Sequence, residues 1–111
     1  MADRRQSAEP KKSRIRRLVL DILKPHSPEL IELADTLCQL SGVDGVNLVL
    51  YEIDKNTETI KLTLQGKAIV YKEVKEAVED AGGVIHSIDE VAAGNEIIEE
   101  VETPQDKLMI K

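Results

Sequence analysis

The stretch Ile15–Lys24, which reads IRRLVLDILK, decides the fold of this chain. With a period of two residues its side chains fall on two faces: Leu18, Leu20 and Ile22 on one, and Val19, Asp21 and Leu23 on the other. Apolar side chains on both faces are typical of an interior strand. We therefore expect helices to cover one face, and a less apolar layer or another subunit to cover the other.

The size and composition indicate one globular domain with an aliphatic core. The chain has 111 residues, 41% hydrophobic and 32% charged, with no Phe, no Trp and two Tyr. A short chain with so little aromatic area gains by burying a sheet face against copies of itself.

The net charge of −6 conceals a basic arm on an acidic body. Residues 1–17 carry seven Lys or Arg and two Asp or Glu, a net charge of +5, so the remainder carries −11. Such an arm can make weak, salt-sensitive contacts with nucleic acid. The interpretation we favour is a solvated arm that folds back electrostatically on its own body or a neighbouring one.

The lone Cys38 excludes an internal disulfide, as is usual in a reducing cytosol. The chain contains no apolar run of 18 residues and no hydrophobic signal segment. We expect a soluble cytoplasmic protein with no membrane partner.

The pattern along the chain predicts three parts: a disordered basic arm over residues 1–14, a domain over 15–104 and a flexible tail over 105–111. Within the domain, Ser27 as N-cap and Pro28 at the first helical position begin a helix that runs to about Leu40, its apolar stripe joined by Cys38. The elements that follow are a hairpin of strands Gly45–Asp54 and Thr59–Gln65, a helix over about Val70–Ala81 without an obvious N-cap, and a strand Val84–Ala93. Gly94-Asn95 then predicts a two-residue turn into a short fifth strand, Glu96–Glu102, beside strand four.

This β-α-β-β-α-β order predicts an α+β, ferredoxin-like sandwich, with both helices on one face of an antiparallel sheet ordered 4-1-3-2. The chain itself leaves the other face open. That face is expected to carry Val19, Leu23, Val49, Tyr51 and Ile53, and an exposed apolar face of this kind usually marks an interface.

Two groups of polar residues are candidate sites. His86, Asp89 and Glu90 are the most polar part of an otherwise apolar strand, with His86 and Glu90 expected on one face and Asp89 on the other. His26 in the proline loop is a conceivable second imidazole, so these four residues are candidates for binding a small anionic ligand or a divalent cation. Asp54, Asn56 and Glu58 begin like a calcium loop, but Thr59 and Gln65 stand where Gly and Glu are required; the alternative is a solvated turn.

Other functions that this fold supports lack their residues. No Gly-rich loop leads from a strand into a helix, and no Ser-His-Asp or Cys-His arrangement is suggested by spacing. RNA binding through the sheet requires exposed aromatic residues on the middle strands, where Lys61 and Thr63 are expected instead. We therefore expect a protein that is not an enzyme and has no cofactor.

Four stretches carry a resemblance to a known family: RRLVLDILKPH (16–26), VDGVN (43–47), GGVIHSIDEVAAG (82–94) and VETPQD (101–106). Together they resemble the small archaeal proteins of the family "domain of unknown function 211". The resemblance implies a ferredoxin-like fold, an archaeal cytoplasmic source and rings of about six or seven subunits. It implies no activity.

The sequence and the resemblance together predict a non-enzymatic homo-oligomeric ring that serves as a binding or regulatory module, and the resemblance implies that the ring is hexameric or heptameric. A small ligand or divalent cation would bind at polar residues between subunits. The alternative is a structural scaffold that recruits protein or RNA through its basic arms.

Overall fold

The computed structural model describes residues 12–104 and shows six elements in the predicted order. They are β1 (Ile15–Pro25), α1 (Leu30–Cys38), β2 (Val43–Ile53), β3 (Thr57–Gly66), α2 (Tyr71–Asp80) and β4 (Val84–Ala93). The four strands form one sheet in the order β2-β3-β1-β4, with every neighbouring pair antiparallel. The α+β class, the order of the elements and the sheet order are therefore confirmed, and they are consistent with a ferredoxin-like fold.

The core lies between the helices and one face of the sheet. Leu18, Leu20 and Ile22 of β1 stand opposite Leu64, Leu62 and Ile60 of β3, and all six are buried. The helices contribute Leu33, Leu37, Val74 and Val78 to the same cluster. The period-two pattern of the first strand is thus confirmed, since its even-numbered residues face the helices.

Helix α1 begins later and ends earlier than predicted. Its N-cap is Glu29, whose backbone N–H donates to Oε1 of Glu32 at 3.1 Å. Ser27 does not cap the helix because the preceding loop folds inward, with the carbonyl of Pro28 accepting a hydrogen bond from the Lys24 ammonium. Cys38 is the last helical residue and is exposed, so the apolar stripe ends at Leu37. Helix α2 has no side-chain N-cap, as predicted.

The predicted fifth strand, Glu96–Glu102, is absent: these described residues form no strand. The chain turns at Gly94, where φ is +119°, and the Arg16 guanidinium donates to the carbonyl oxygens of Gly94 and Asn95 at 3.0 and 2.9 Å. These contacts direct the chain across the start of β1 instead of along the outer edge of β4. We call residues 94–104 the strap.

The predicted tail, residues 105–111, and most of the predicted arm lie outside the described residues. Residues 12–14, which belong to the predicted arm, are described and make specific contacts. Ser13 Oγ donates to the carbonyl of Ile69 at 2.5 Å, and the N–H of Gly94 donates to the carbonyl of Arg14 at 2.9 Å. No helix in the described part of the chain is long and apolar enough to span a membrane.

Candidate functional site

The face of the sheet opposite the helices carries a groove of about 1060 Å³. Its floor comes from the odd-numbered residues of the two central strands. In the β1–β3 register, Arg17 stands opposite Gln65, Val19 opposite Thr63 and Asp21 opposite Lys61. The alternation that buries the even-numbered leucines therefore places polar and charged side chains along this floor.

The walls of the groove come from β2, β4 and the strap. Tyr51 lines it from β2, Asp89 and Glu90 line it from β4, and Ile98, Glu99 and Glu100 line it from the strap. The open face was predicted to be uncovered by the chain itself, but the strap covers part of it, and Val19 is buried. Val49 and Tyr51 are exposed on β2, as predicted. Ile53 is exposed too, but a register shift between Leu50 and Glu52 places it opposite Glu58, on the helix-facing side of the sheet, so its predicted position on the open face is wrong.

Arg17 ties the strap to the sheet. Its Nη1 and Nη2 atoms donate to the two carboxylate oxygens of Glu99 at 3.0 and 3.2 Å, its Nη1 also reaches Glu90 at 3.3 Å, and its Nε donates to Gln65 at 2.9 Å. A guanidinium matches a carboxylate through such paired hydrogen bonds. The hydrogen bond from Arg17 lowers the pKa of Glu99, and the same contact raises the pKa of Arg17.

The groove is acidic. Its charged lining consists of five carboxylates, Asp21, Asp89, Glu90, Glu99 and Glu100, and two cations, Arg17 and Lys61, a net charge of −3. Arg17 engages Glu90 and Glu99, and Asp89 accepts a hydrogen bond from Ser87 Oγ at 2.8 Å. The side-chain carboxylates of Asp21 and Glu100 form no hydrogen bond or ion pair within residues 12–104. This arrangement favours a cationic ligand over an anionic one.

A second charged cluster, formed by Lys24, His26 and Glu58, lies where β1 ends; we call it the Lys24 cluster. The Lys24 side chain is fully buried, and its ammonium contacts the carbonyls of Pro25 (2.9 Å) and Pro28 and Oε1 of Glu58 (3.1 Å). An ammonium has three N–H donors, so these three acceptors satisfy it.

His26 is held between two acceptors in the Lys24 cluster. Its Nδ1 lies 3.1 Å from Oε2 of Glu58, and its Nε2 lies 2.9 Å from the carbonyl of Lys55. Both ring nitrogens are donors only in the imidazolium form, so this geometry favours the charged ring. Two hydrogen bonds raise the pKa of His26: the one with Glu58 contributes most, and the one with the Lys55 carbonyl contributes next. The hydrogen bond from His26 makes the largest contribution to lowering the pKa of Glu58, and the hydrogen bond from Lys24 makes the next largest.

The structure separates the four residues that the sequence analysis grouped as ligand candidates. His26 lies on the β3 side of β1, bound to Glu58, whereas His86 is exposed on β4, on the other side of β1. Only Asp89 and Glu90 line the groove. Two register shifts in β4 place Ser87 opposite Asp21 and Glu90 opposite Val19, so the simple alternation predicted for this strand is wrong.

The three residues compared with a calcium loop lie at the β2–β3 turn. Asp54 and Asn56 are exposed in the turn itself, where the N–H of Asp54 donates to the carbonyl of Thr57 at 2.8 Å. Glu58 lies in β3 and gives one carboxylate oxygen to Lys24 and the other to His26. A cation at this turn would therefore compete with two basic side chains for Glu58. Among residues 12–104, no three His, Cys, Asp or Glu side chains are placed to hold a metal ion.

Sequence reasoning missed Lys24 and the strap-holding role of Arg17. A signal for Lys24 was present, because it shares the even-numbered, helix-facing side of β1 with Leu20 and Ile22, and a lysine on a core face requires buried partners. No such signal existed for Arg17, since its partner Glu99 is 82 residues away in the chain.

Comparison with known proteins assigns the chain to a family. Residues 16–107 match the family domain of unknown function 211 (DUF211), described as "Uncharacterized ArCR". The chain is also 57% identical over 93 residues to a protein of Methanocaldococcus jannaschii named "Uncharacterized protein MJ0319", a match that covers 84% of this chain and 96% of that protein. These matches confirm the resemblance inferred from the four sequence stretches. The chain belongs to the DUF211 family.

Proposed function

We propose that this protein is a cytoplasmic, non-enzymatic binding module that assembles into a homo-oligomeric ring and binds a cationic ligand in the groove. The observation that carries the ring is the position of its exposed apolar side chains. Among residues 12–104, ten large hydrophobic residues are exposed, and seven of them lie on the two edge strands: Val49, Leu50, Tyr51 and Ile53 on β2, and Val84, Ile88 and Val91 on β4.

Both edges are long and open. Strand β2 has 11 residues and β4 has 10, and within the described part of the chain each has a neighbouring strand on one side only. Edge strands with unpaired backbone groups readily accept another strand, and monomeric proteins usually protect them with charges, prolines or a covering segment. Here exposed apolar side chains are interspersed with polar ones along both edges, and burial of the apolar ones against another copy would be favourable.

Both edges expose apolar side chains, and this supports a head-to-tail contact, which buries both edges, over a two-fold contact, which pairs one edge with itself and leaves the other exposed. In a head-to-tail contact β2 of one copy meets β4 of the next, and repetition of the contact generates a ring when the rotation closes. A ring of six or seven subunits is the assembly that we propose.

The binding function rests on the charge of the groove, where Asp21 and Glu100 are unpaired carboxylates among the described residues. The contacts of His26 support binding over catalysis. A general base needs a free ring nitrogen, and both nitrogens of His26 already face acceptors.

Native mass spectrometry of edge variants tests the assembly. Ile88→Glu on β4 and Ile53→Glu on β2 each place a charge at one edge, so each variant alone should lose the ring. Mixing them should restore pairing between the two intact edges, giving dimers that cannot grow. Ile31→Glu is the matched control, because Ile31 lies on α1 and is 73% exposed, more than Ile88 at 50%.

Three results would refute the ring. These are a wild-type protein that is monomeric at micromolar concentration, a control variant that disrupts assembly as much as the edge variants do, and an Ile53→Glu protein that still forms the full ring. The ligand is tested separately by thermal shift with spermidine and with anionic metabolites. We expect stabilisation by spermidine that is lost in Asp21→Asn/Asp89→Asn, and no stabilisation by the anions.

A further inference from the structure

We propose that the basic segment formed by residues 1–12 is itself a cationic occupant of the groove. The inference rests on the proposed cation binding and names the group that binds. The structure describes only Lys12 of this segment. The segment contains four basic residues, Arg4, Arg5, Lys11 and Lys12, and two acidic ones, Asp3 and Glu9. Its net charge of +2 complements the charge of −3 in the groove.

The pairs already present in the groove indicate where the segment binds. Arg17 occupies Glu90 and Glu99, at the end of the groove next to the start of β1. Asp21 lies farther along the floor, and Glu100 follows Glu99 in the strap; both carboxylates are unpaired within the described chain. A basic segment that enters the groove can pair with them without displacing Arg17.

The attachment point of the segment lies within reach of the groove. Lys12 is exposed and is followed by Ser13, which the carbonyl of Ile69 holds at the start of β1. Asp21 lies nine residues beyond Lys12 along the chain, a distance of at most about 30 Å. The eleven residues before Lys12 span up to about 36–40 Å when extended, so the segment can reverse and still reach Asp21.

The energetics predict a modest and salt-sensitive contact. Fully ordering a residue costs more free energy than one exposed ion pair contributes, so the segment stays in the groove through its charged side chains while its backbone keeps most of its conformational freedom. Salt screens such pairs over distances of several ångströms, so the segment should leave the groove as salt is raised.

The test uses the full-length chain and compares amide spectra of the deuterated protein at 50 and 500 mM NaCl. The variant Arg4→Glu/Arg5→Glu reverses the charge of the segment. It should change the amide chemical shifts of four groove residues, Asp21, Lys61, Thr63 and Asp89, at low salt only. Gln6→Ala/Ser7→Ala, in the same segment, is the control and should leave them unchanged. The proposal is overturned if the chemical shifts of the groove amides are the same in the wild type and in Arg4→Glu/Arg5→Glu, even if the segment is then found to bind RNA.

A peptide titration measures the same contact with the segment supplied as a separate molecule. A labelled peptide of residues 1–12 should bind the Arg4→Glu/Arg5→Glu protein, and Asp21→Asn/Glu100→Gln should weaken its binding by roughly fivefold to tenfold. The exposed pair on α2, changed as Glu76→Gln/Glu79→Gln, is the control. If spermidine stabilises the protein through Asp21 but the peptide does not bind, the groove remains a cation site and only the role of the segment is refuted.

Discussion

The two ends of β1 each use basic side chains to hold a distant part of the chain, but they do so in different surroundings. At the start of the strand, Arg16 and Arg17 hold the strap, and the partner of Arg17, Glu99, is 68% exposed. At the end of the strand, Lys24 is fully buried against Glu58, which is 17% exposed. One strand therefore carries a solvated ion cluster at one end and a desolvated one at the other.

The difference in burial determines what each cluster contributes. When an exposed ion pair forms, each charged group exchanges contacts with water for contacts with its partner, so the net gain in free energy is small, and salt weakens the pair further. A buried ammonium has lost its water, so removing either the ammonium or its acceptors leaves polar groups without a partner in the interior. We therefore expect the Lys24 end to stabilise the fold, and the Arg17 end to hold a segment that can be released.

The largest expected effect is that of Lys24→Met. Methionine fills most of the lysine volume but leaves the carbonyls of Pro25 and Pro28 and one oxygen of Glu58 without their donor. Breaking a buried ion pair in this way is expected to reduce the free energy of unfolding by about 3 kcal/mol. Urea denaturation followed by circular dichroism measures this change.

Lys72→Met is the matched control, because Lys72 is an exposed lysine of α2. It should change the urea midpoint only slightly. If the two variants were equally stable, the buried contacts of Lys24 would contribute nothing, and the proposed difference between the two ends of β1 would be wrong.

The sequence predicted the elements and the sheet order because local patterns determine them. Strand β4 spans Val84–Ala93 as predicted, since Gly82-Gly83 and Gly94 bound its apolar run. Along β1 the alternation of side chains also predicted which residues are buried, because a strand in the middle of a sheet has fixed neighbours on both sides.

The sequence did not predict the parts that depend on contacts between distant residues. The strap follows the Gly94-Asn95 turn signal but forms no strand, because Arg16 and Arg17 direct it onto the open face. The alternation in β4 fails because two register shifts against β1 change which side chains share a face. His26 was expected near His86 but binds Glu58, since the inward fold of the proline loop directs it toward β3.

The next effect in size is the pH dependence of stability at the Lys24 end. The pKa of His26 is raised above 6.5 in the folded protein, so His26 stabilises the fold fully below about pH 6.5, and this contribution is lost as pH rises through the folded-state pKa. The pKa of Glu58 is lowered from 4.5, so its contribution is present above that pH and is lost as pH falls through the folded-state value.

The variant His26→Gln isolates the first of these contributions. Between pH 5 and 6 the wild type should be more stable than the variant, and the difference should shrink by pH 9. His86→Gln is the control, because His86 is an exposed histidine outside the Lys24 cluster. Urea midpoints at several pH values give the comparison, and a His26→Gln effect that is constant from pH 5 to pH 9 would contradict it.

The smallest expected effect on global stability, and the most local one, is at the Arg17 end. Glu99→Gln removes the charge that Arg17 binds through two hydrogen bonds, yet Arg16 still holds the turn at Gly94. The urea midpoint should therefore change little, while 15N relaxation should show greater backbone mobility in residues 96–104, because that part of the strap spends more time off the sheet. Raising the salt concentration of the wild type should approach the same result, since salt screens an exposed pair.

Glu96→Gln, in the same strap, is the control: its carboxylate is exposed, and the change should leave the relaxation of the strap unaltered. If Glu99→Gln lowered the urea midpoint as much as Lys24→Met, the strap would be part of the cooperative fold, and the two ends of β1 would not differ in the way their burial indicates.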